Sequence, residues 1–182
     1  MCMTKMKQLI LIIVLIAVGI NPVIAESKGP GLGKAISSEE IAAWDISVFP
    51  DGEGLPKGEG SVAEGEKIYQ QQCLACHGAG GLGATADQLA GAQMSLTSEY
   101  PEQTIGSYWP YATTVFDVIR RSMPMTKPGS LSNEQTYSVT AYLLYLNNLI
   151  AKDDIMNATT LPKVKMPNED GFIDVYKDEK GN

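Results

Sequence analysis

Cys73-Leu74-Ala75-Cys76-His77 sets two thiols three positions apart, with an imidazole directly behind the second. Such a C-x-x-C-H run is the attachment signature of c-type haem. Two thiols at this spacing add to the vinyl groups on one edge of a porphyrin and form thioethers. The adjacent imidazole then bonds iron from the proximal side. His77 is the only histidine, and the cysteines number three with Cys2. A multi-histidine zinc, copper or di-iron centre cannot be built from one histidine. A thioredoxin-type pair wants a βαβ setting, which the pattern lacks. A disulfide between Cys73 and Cys76 would close a strained short loop and leave His77 without a purpose. One covalently attached haem c uses all three residues.

The sixth position on iron must be filled from elsewhere, and a methionine thioether is the usual partner in electron-carrying haem proteins. The candidates beyond the leader are Met94, Met123, Met125, Met156 and Met166. Met123 follows a helix, precedes a proline and lies between the haem run and the last helix. Met125, two residues on, stays open as its rival. Met94 is close to His77 and is expected to pack in the core. Met156 and Met166 fall in the tail, with surface or packing roles. Arg120 and Arg121 either pair with a propionate or complement a helix end. Tyr108, Trp109 and Tyr111 either cover the ring or pack in the core.

The elements that must position these groups are helices. Ser37-Ser38-Glu39-Glu40 opens one or two capped turns. Asp51 to Gly60, with four glycines and a proline, reads as loop. Ser61-Val62-Ala63-Glu64 is a capping box for a helix to about Gln72, in which Gly65 admits a close neighbour beside Tyr69. Gly78 to Gly83 is turn-rich. Val115, Val118, Ile119 and Ser122 make one face of a helix that Met123-Pro124-Met125 ends. Ser132 to Gln135 is a second capping box, followed by Val139, Tyr142, Leu143, Leu146, Leu149 and Ile150 at amphipathic spacing. No alternating strands and no internal repeats are evident. The fold class is all-α with long loops. The expected organisation is an N-terminal extension over 26–60, a monohaem domain over 61–150 and an irregular tail over 151–182 that wraps the surface or meets a partner.

Residues 1–25 read as a secretory signal peptide, with Lys5 and Lys7, an apolar run from Leu9 to Ile20, and a cleavage site at Ala25. Twelve apolar residues fall short of the roughly 20 that span a bilayer, although an uncleaved anchor is the alternative. The expected location is the periplasm, with no membrane attachment after cleavage. Among 182 residues, 14 basic against 21 acidic side chains give a net charge of −7. Loss of Lys5 and Lys7 takes this to −9. That balance argues against nucleic-acid binding, which wants a basic face. A hydrophobic content of 44% suffices for a buried core.

The order of helix, haem run and methionine loop, with Gly65 and Tyr69, resembles a class I cytochrome c. More narrowly, EIAAWDISVFPDGEGLPKGEGSVAEGEKIYQQQCLACHG, TIGSYWPYATTVFDVIRRSMP, LSNEQTYSVTAYLLYLNNLI and LPKVKMPNEDGF resemble the cytochrome c subunit of bacterial sulfite dehydrogenase and of Sox sulfane dehydrogenase. They span most of residues 39–172. The resemblance implies Met123 as axial ligand and an electron-transfer subunit that is not catalytic by itself. It also implies a partner subunit carrying a molybdenum cofactor, which oxidises sulfite or sulfane sulfur, and a downstream cytochrome or oxidase. Some relatives carry a second haem domain, whereas this chain has one C-x-x-C-H. A free-standing shuttle and a ligand-binding or peroxidase-like haem protein are the alternatives.

Overall fold

The computed structural model describes residues 31–91 and 96–173. The leader and Met94 lie outside the described residues. The chain forms two compact units that divide after Ile41. Helix α1 (Ser38–Trp44) starts with the expected cap: Glu40 N donates to Ser37 Oγ at 3.2 Å, and Ser37 N donates to the Glu40 carboxylate at 2.9 Å.

The second unit carries, in chain order, β1 (Glu59–Ser61), α2 (Val62–Gln72), α3 (Leu74–His77), a 3-10 turn at Ala79–Gly81, α4 (Ala112–Ser122), α5 (Asn133–Leu146), β2 (Ile155–Asn157) and a 3-10 turn at Leu161–Lys163. The two capping boxes read from the sequence differ. Ser61 Oγ accepts from Glu64 N at 3.2 Å, but the Glu64 carboxylate pairs with Lys67 Nζ at 2.9 Å, so this cap is one-sided. Ser132 and Gln135 form a full reciprocal box. Each satisfies amide donors that a helix start leaves unpaired.

Helix α5 departs from the expected amphipathic pattern, because it is enclosed. All nine residues from Thr136 to Leu144 are buried. Its polar members satisfy themselves along the helix: Ser138 Oγ donates to Glu134 O and Thr140 Oγ1 to Thr136 O, both at 2.7 Å. It also stops at Leu146, so Leu149 and Ile150 lie beyond it. Asn148 enters the left-handed region (φ 58°), and Leu149 N returns to Leu144 O at 3.0 Å, closing the C-terminus.

Two glycines let neighbours reach this helix. A Cβ on Gly65 would overlap the Ser138 carbonyl oxygen, and one on Gly60 would overlap the Ser138 amide. Helix α2 therefore lies directly on α5, with the Tyr69 and Tyr142 rings 5.3 Å apart. Gly60 sits in β1, which pairs antiparallel with β2 and faces Met156 across the ladder. These two strands correct the expectation of loop through Gly60 and of no strands. Three residues are too few to display a period of two.

Helix α4 crosses the other side, with Val115, Phe116 and Ile119 buried and the Phe116 and Tyr137 rings 4.4 Å apart. Ser122, expected on that face, is exposed. The tail wraps the unit: Met156, Leu161 and Met166 all enter the core. Residues 46–57 are fixed by side chains of α4 and α5, including Thr113 Oγ1 to Pro50 O at 3.2 Å and Tyr137 OH to Pro56 O at 2.9 Å.

Replacing Gly65 with Val forces a branched side chain against the Ser138 carbonyl. A loss of about 2–3 kcal/mol is expected, read from the urea midpoint. An unchanged midpoint would contradict the helix contact.

Candidate haem cavity

The Cys73–His77 run closes one helical turn at the end of α2. Cys73 N donates to Tyr69 O at 2.9 Å, and the amides of Cys76 and His77 both donate to Cys73 O, at 3.1 and 3.0 Å. Residues three apart in such a turn share a face, which puts both sulfurs on one side. Gly78 (φ 73°) then reverses the chain, and a Cβ there would overlap Gly83 O. The reversal lets Gly83 N donate to His77 O at 2.8 Å and Ala86 N to Cys76 O at 2.9 Å. Tyr69 OH donates to Gly78 O at 2.8 Å and pins the reversal to α2.

The His77 ring is oriented by the same loop. Nδ1 lies 2.9 Å from Asp87 O, an acceptor only, so Nδ1 carries the proton. Nε2 is then left with its lone pair free for a metal.

Cys73, Cys76 and His77 line one cavity open to the surface. Leu89, Ile105, Trp109, Ile119, Val139 and Leu143 are among its walls. Met123 also lines it and packs partly buried against the core. Met125 lines it at the mouth, 76% exposed. The two cysteines are not joined to each other. Burial pushes the Cys73 thiol up to about 11, with Cys76 beside it adding to the rise. No cluster of three or more His, Cys, Asp or Glu able to hold a metal ion occurs among the described residues. Two thiols, an oriented imidazole, a thioether and apolar walls on one cavity fit a flat, covalently held macrocycle.

Other sequence candidates separate. Of the aromatic trio only Trp109 lines this cavity. Tyr108 packs edge-on to Phe172 at 5.5 Å, and Tyr111 borders a smaller cleft with Asp51 and Glu169. Neither arginine lines the cavity: Arg121 Nε binds the Asp117 carboxylate at 2.8 Å, and Arg120 donates to Ile46 O at 3.4 Å. Met156 and Met166 are core residues. The Asp87 carbonyl was not foreseeable, since any residue offers one.

The described fold matches a chain of the sulfane dehydrogenase SoxCD from Paracoccus pantotrophus, with a TM-score of 0.78 and 43% identity. The match covers 83% of this chain and 75% of that one. A cytochrome c family profile matches residues 62–147. The chain belongs to the cytochrome c family. Its architecture is the class I cytochrome c fold, and membership implies covalently bound haem c. This cytochrome is also similar to two thiosulfate dehydrogenases. It is 33% identical over 90 residues to that of Stutzerimonas stutzeri, a match covering 48% of this chain and 28% of the relative. It is 28% identical over 120 residues to that of Allochromatium vinosum, covering 65% and 40% respectively. The cytochrome thus spans well under half the length of these two curated relatives.

Burial raises the Tyr69 phenol from 10.0 to about 12, with Tyr142 adding to the rise. Between those values the unfolded chain loses this proton while the folded chain keeps it. Stability is therefore full below about pH 10 and falls as pH rises toward 12. Tyr69→Phe should cost about 1 kcal/mol at pH 8 and flatten that alkaline fall. Equal slopes for wild type and variant in denaturant titrations would contradict the assignment.

Proposed function

We propose that this cytochrome is a periplasmic carrier of single electrons holding one haem c, and that it accepts electrons from a molybdenum-cofactor dehydrogenase subunit acting on sulfite or sulfane sulfur. The observation that carries the reading is the convergence of Cys73, Cys76, His77 and Met123 on one apolar cavity. Bound there, haem c supplies reversible one-electron exchange at iron.

The residues divide the work. Cys73 and Cys76 would hold the macrocycle by thioethers, so that it could not dissociate. His77 offers Nε2 while the Asp87 carbonyl fixes its ring. Met123 offers its thioether from the segment that ends α4. Its packing against the core favours it over the exposed Met125, because a held side chain loses less freedom on binding. With both His77 and Met123 available to hold the iron, little of the protein around it would have to rearrange between oxidation states. Ile119, Val139 and Leu143 exclude water, which favours the less charged state.

The sulfur-dehydrogenase assignment is supported by the SoxCD chain and by the two thiosulfate dehydrogenases. Export is supported by the leader read in residues 1–25, and a downstream cytochrome or oxidase would accept the electron. In this reading the chain is an electron-transfer subunit, which needs no acid–base pair of its own.

Met123→Ala should convert a six-coordinate low-spin spectrum to high-spin and let carbon monoxide bind the reduced protein. Met125→Ala should leave both unchanged. The reverse result would move the ligand to Met125, and high-spin iron in the wild type would overturn the carrier reading. Sulfite or thiosulfate should reduce the cytochrome only when its molybdenum partner is added.

A further inference from the structure

The last residue before α5 turns left-handed is Asn147. It is 2% exposed, and its amide works in three directions. Oδ1 accepts from Gly106 N at 3.1 Å. Nδ2 donates to Leu143 O at 2.8 Å and to Leu89 O at 3.1 Å. A Cβ on Gly106 would lie 2.7 Å from Oδ1, so the 104–109 loop approaches this amide as closely as a glycine permits. Leu89, Ile105 and Leu143 all line the haem cavity. One side chain therefore ties three of its walls together.

The Leu89 carbonyl is two residues from the Asp87 carbonyl that accepts the hydrogen bond from His77 Nδ1–H. Ile105 N also donates to Leu89 O at 3.1 Å, and Leu89 N and Ala90 N both return to Gly81 O at 2.7 and 3.0 Å. Segment 87–90 is thus clamped between the reversal after His77 on one side and the end of α5 on the other. We propose that Asn147 is a positioning residue for the His77 imidazole: it anchors segment 87–90 so that the Asp87 carbonyl meets Nδ1–H, which sets the ring's orientation and its strength as an electron donor. The inference rests on the assignment of His77 as an iron ligand.

A carbonyl drawn onto Nδ1–H makes the imidazole more basic and stabilises the more charged oxidation state. Freed from its anchor, the carbonyl retreats, the ring gains rotational freedom, and the oxidised state loses that support. The reduction potential then rises.

The test uses the haem-loaded protein with Asn147→Leu, which keeps the branched shape without the amide, and Asn147→Ser, which keeps a small polar group if the first variant fails to fold. Thr140→Val serves as a control for lost stability, because Thr140 is equally buried in α5 and bonds only along its own helix among the contacts above. Proton NMR of the oxidised protein reports ring orientation through the haem methyl shifts, and exchange of the His77 Nδ1–H reports the bond to Asp87. The Asn147 variants should exchange that proton at least tenfold faster, change the methyl pattern and raise the potential. Thr140→Val should lower the urea midpoint and leave all three readouts as in wild type. Wild-type exchange and methyl pattern in both Asn147 variants would overturn the proposal while leaving His77 ligation intact. A wild-type protein without a His77 signal on iron would instead overturn the ligand assignment beneath it.

Discussion

One helical turn must hold two sulfurs and one nitrogen toward a single cavity, and it cannot do so unaided. Four residues of helix leave their end amides and carbonyls largely unpaired. Here the chain reverses at Gly78 and comes back to pair the carbonyls of Cys76 and His77 with the amides of Ala86 and Gly83. The same loop delivers the Asp87 carbonyl to Nδ1 of the ring. Remove the reversal, and the donors lose their common direction and the imidazole its tautomer.

That loop is steadied from beneath by close packing. Helix α2, which ends in the donor turn, rests on α5 without a side chain between them at Gly65. Tyr69 fills the adjoining space against Tyr142 and reaches Gly78 with its hydroxyl. The donors, the loop and the far cavity wall on α5 are consequently parts of one packed body. Interiors of this density respond to a shift of a methyl group. An electron carrier gains from that stiffness, because a fixed ligand field changes little as charge comes and goes.

How much of this could be read from residue order follows the range of each interaction. Helix starts were legible because Ser61 and Ser132 cap amides three residues away. The donor turn was legible because its spacing is its chemistry. Enclosure of α5 was not, since the chains that cover its outer side come from 56–61 and 155–161, far along the sequence. The paired strands were hidden by their shortness. Asn147 gave no signal, because an asparagine at a helix end reads as an ordinary stop. Met123 and Met125 differ in depth, one packing on the core and the other standing in solvent, a difference that spacing cannot show. Arg120 and Arg121 do not line the cavity and are engaged by Asp117 and by residues 46–47, a distant segment whose contacts residue order does not display.

The central claim is that Cys73 and Cys76 each carry a thioether to one macrocycle. Intact mass spectrometry of the purified protein under denaturing conditions tests it directly, followed by peptide mapping across residues 62–78. The account predicts one haem retained on the unfolded chain and mapped to the peptide holding both cysteines, with neither thiol open to alkylation. A polypeptide of bare mass with two alkylatable thiols in that peptide would contradict it.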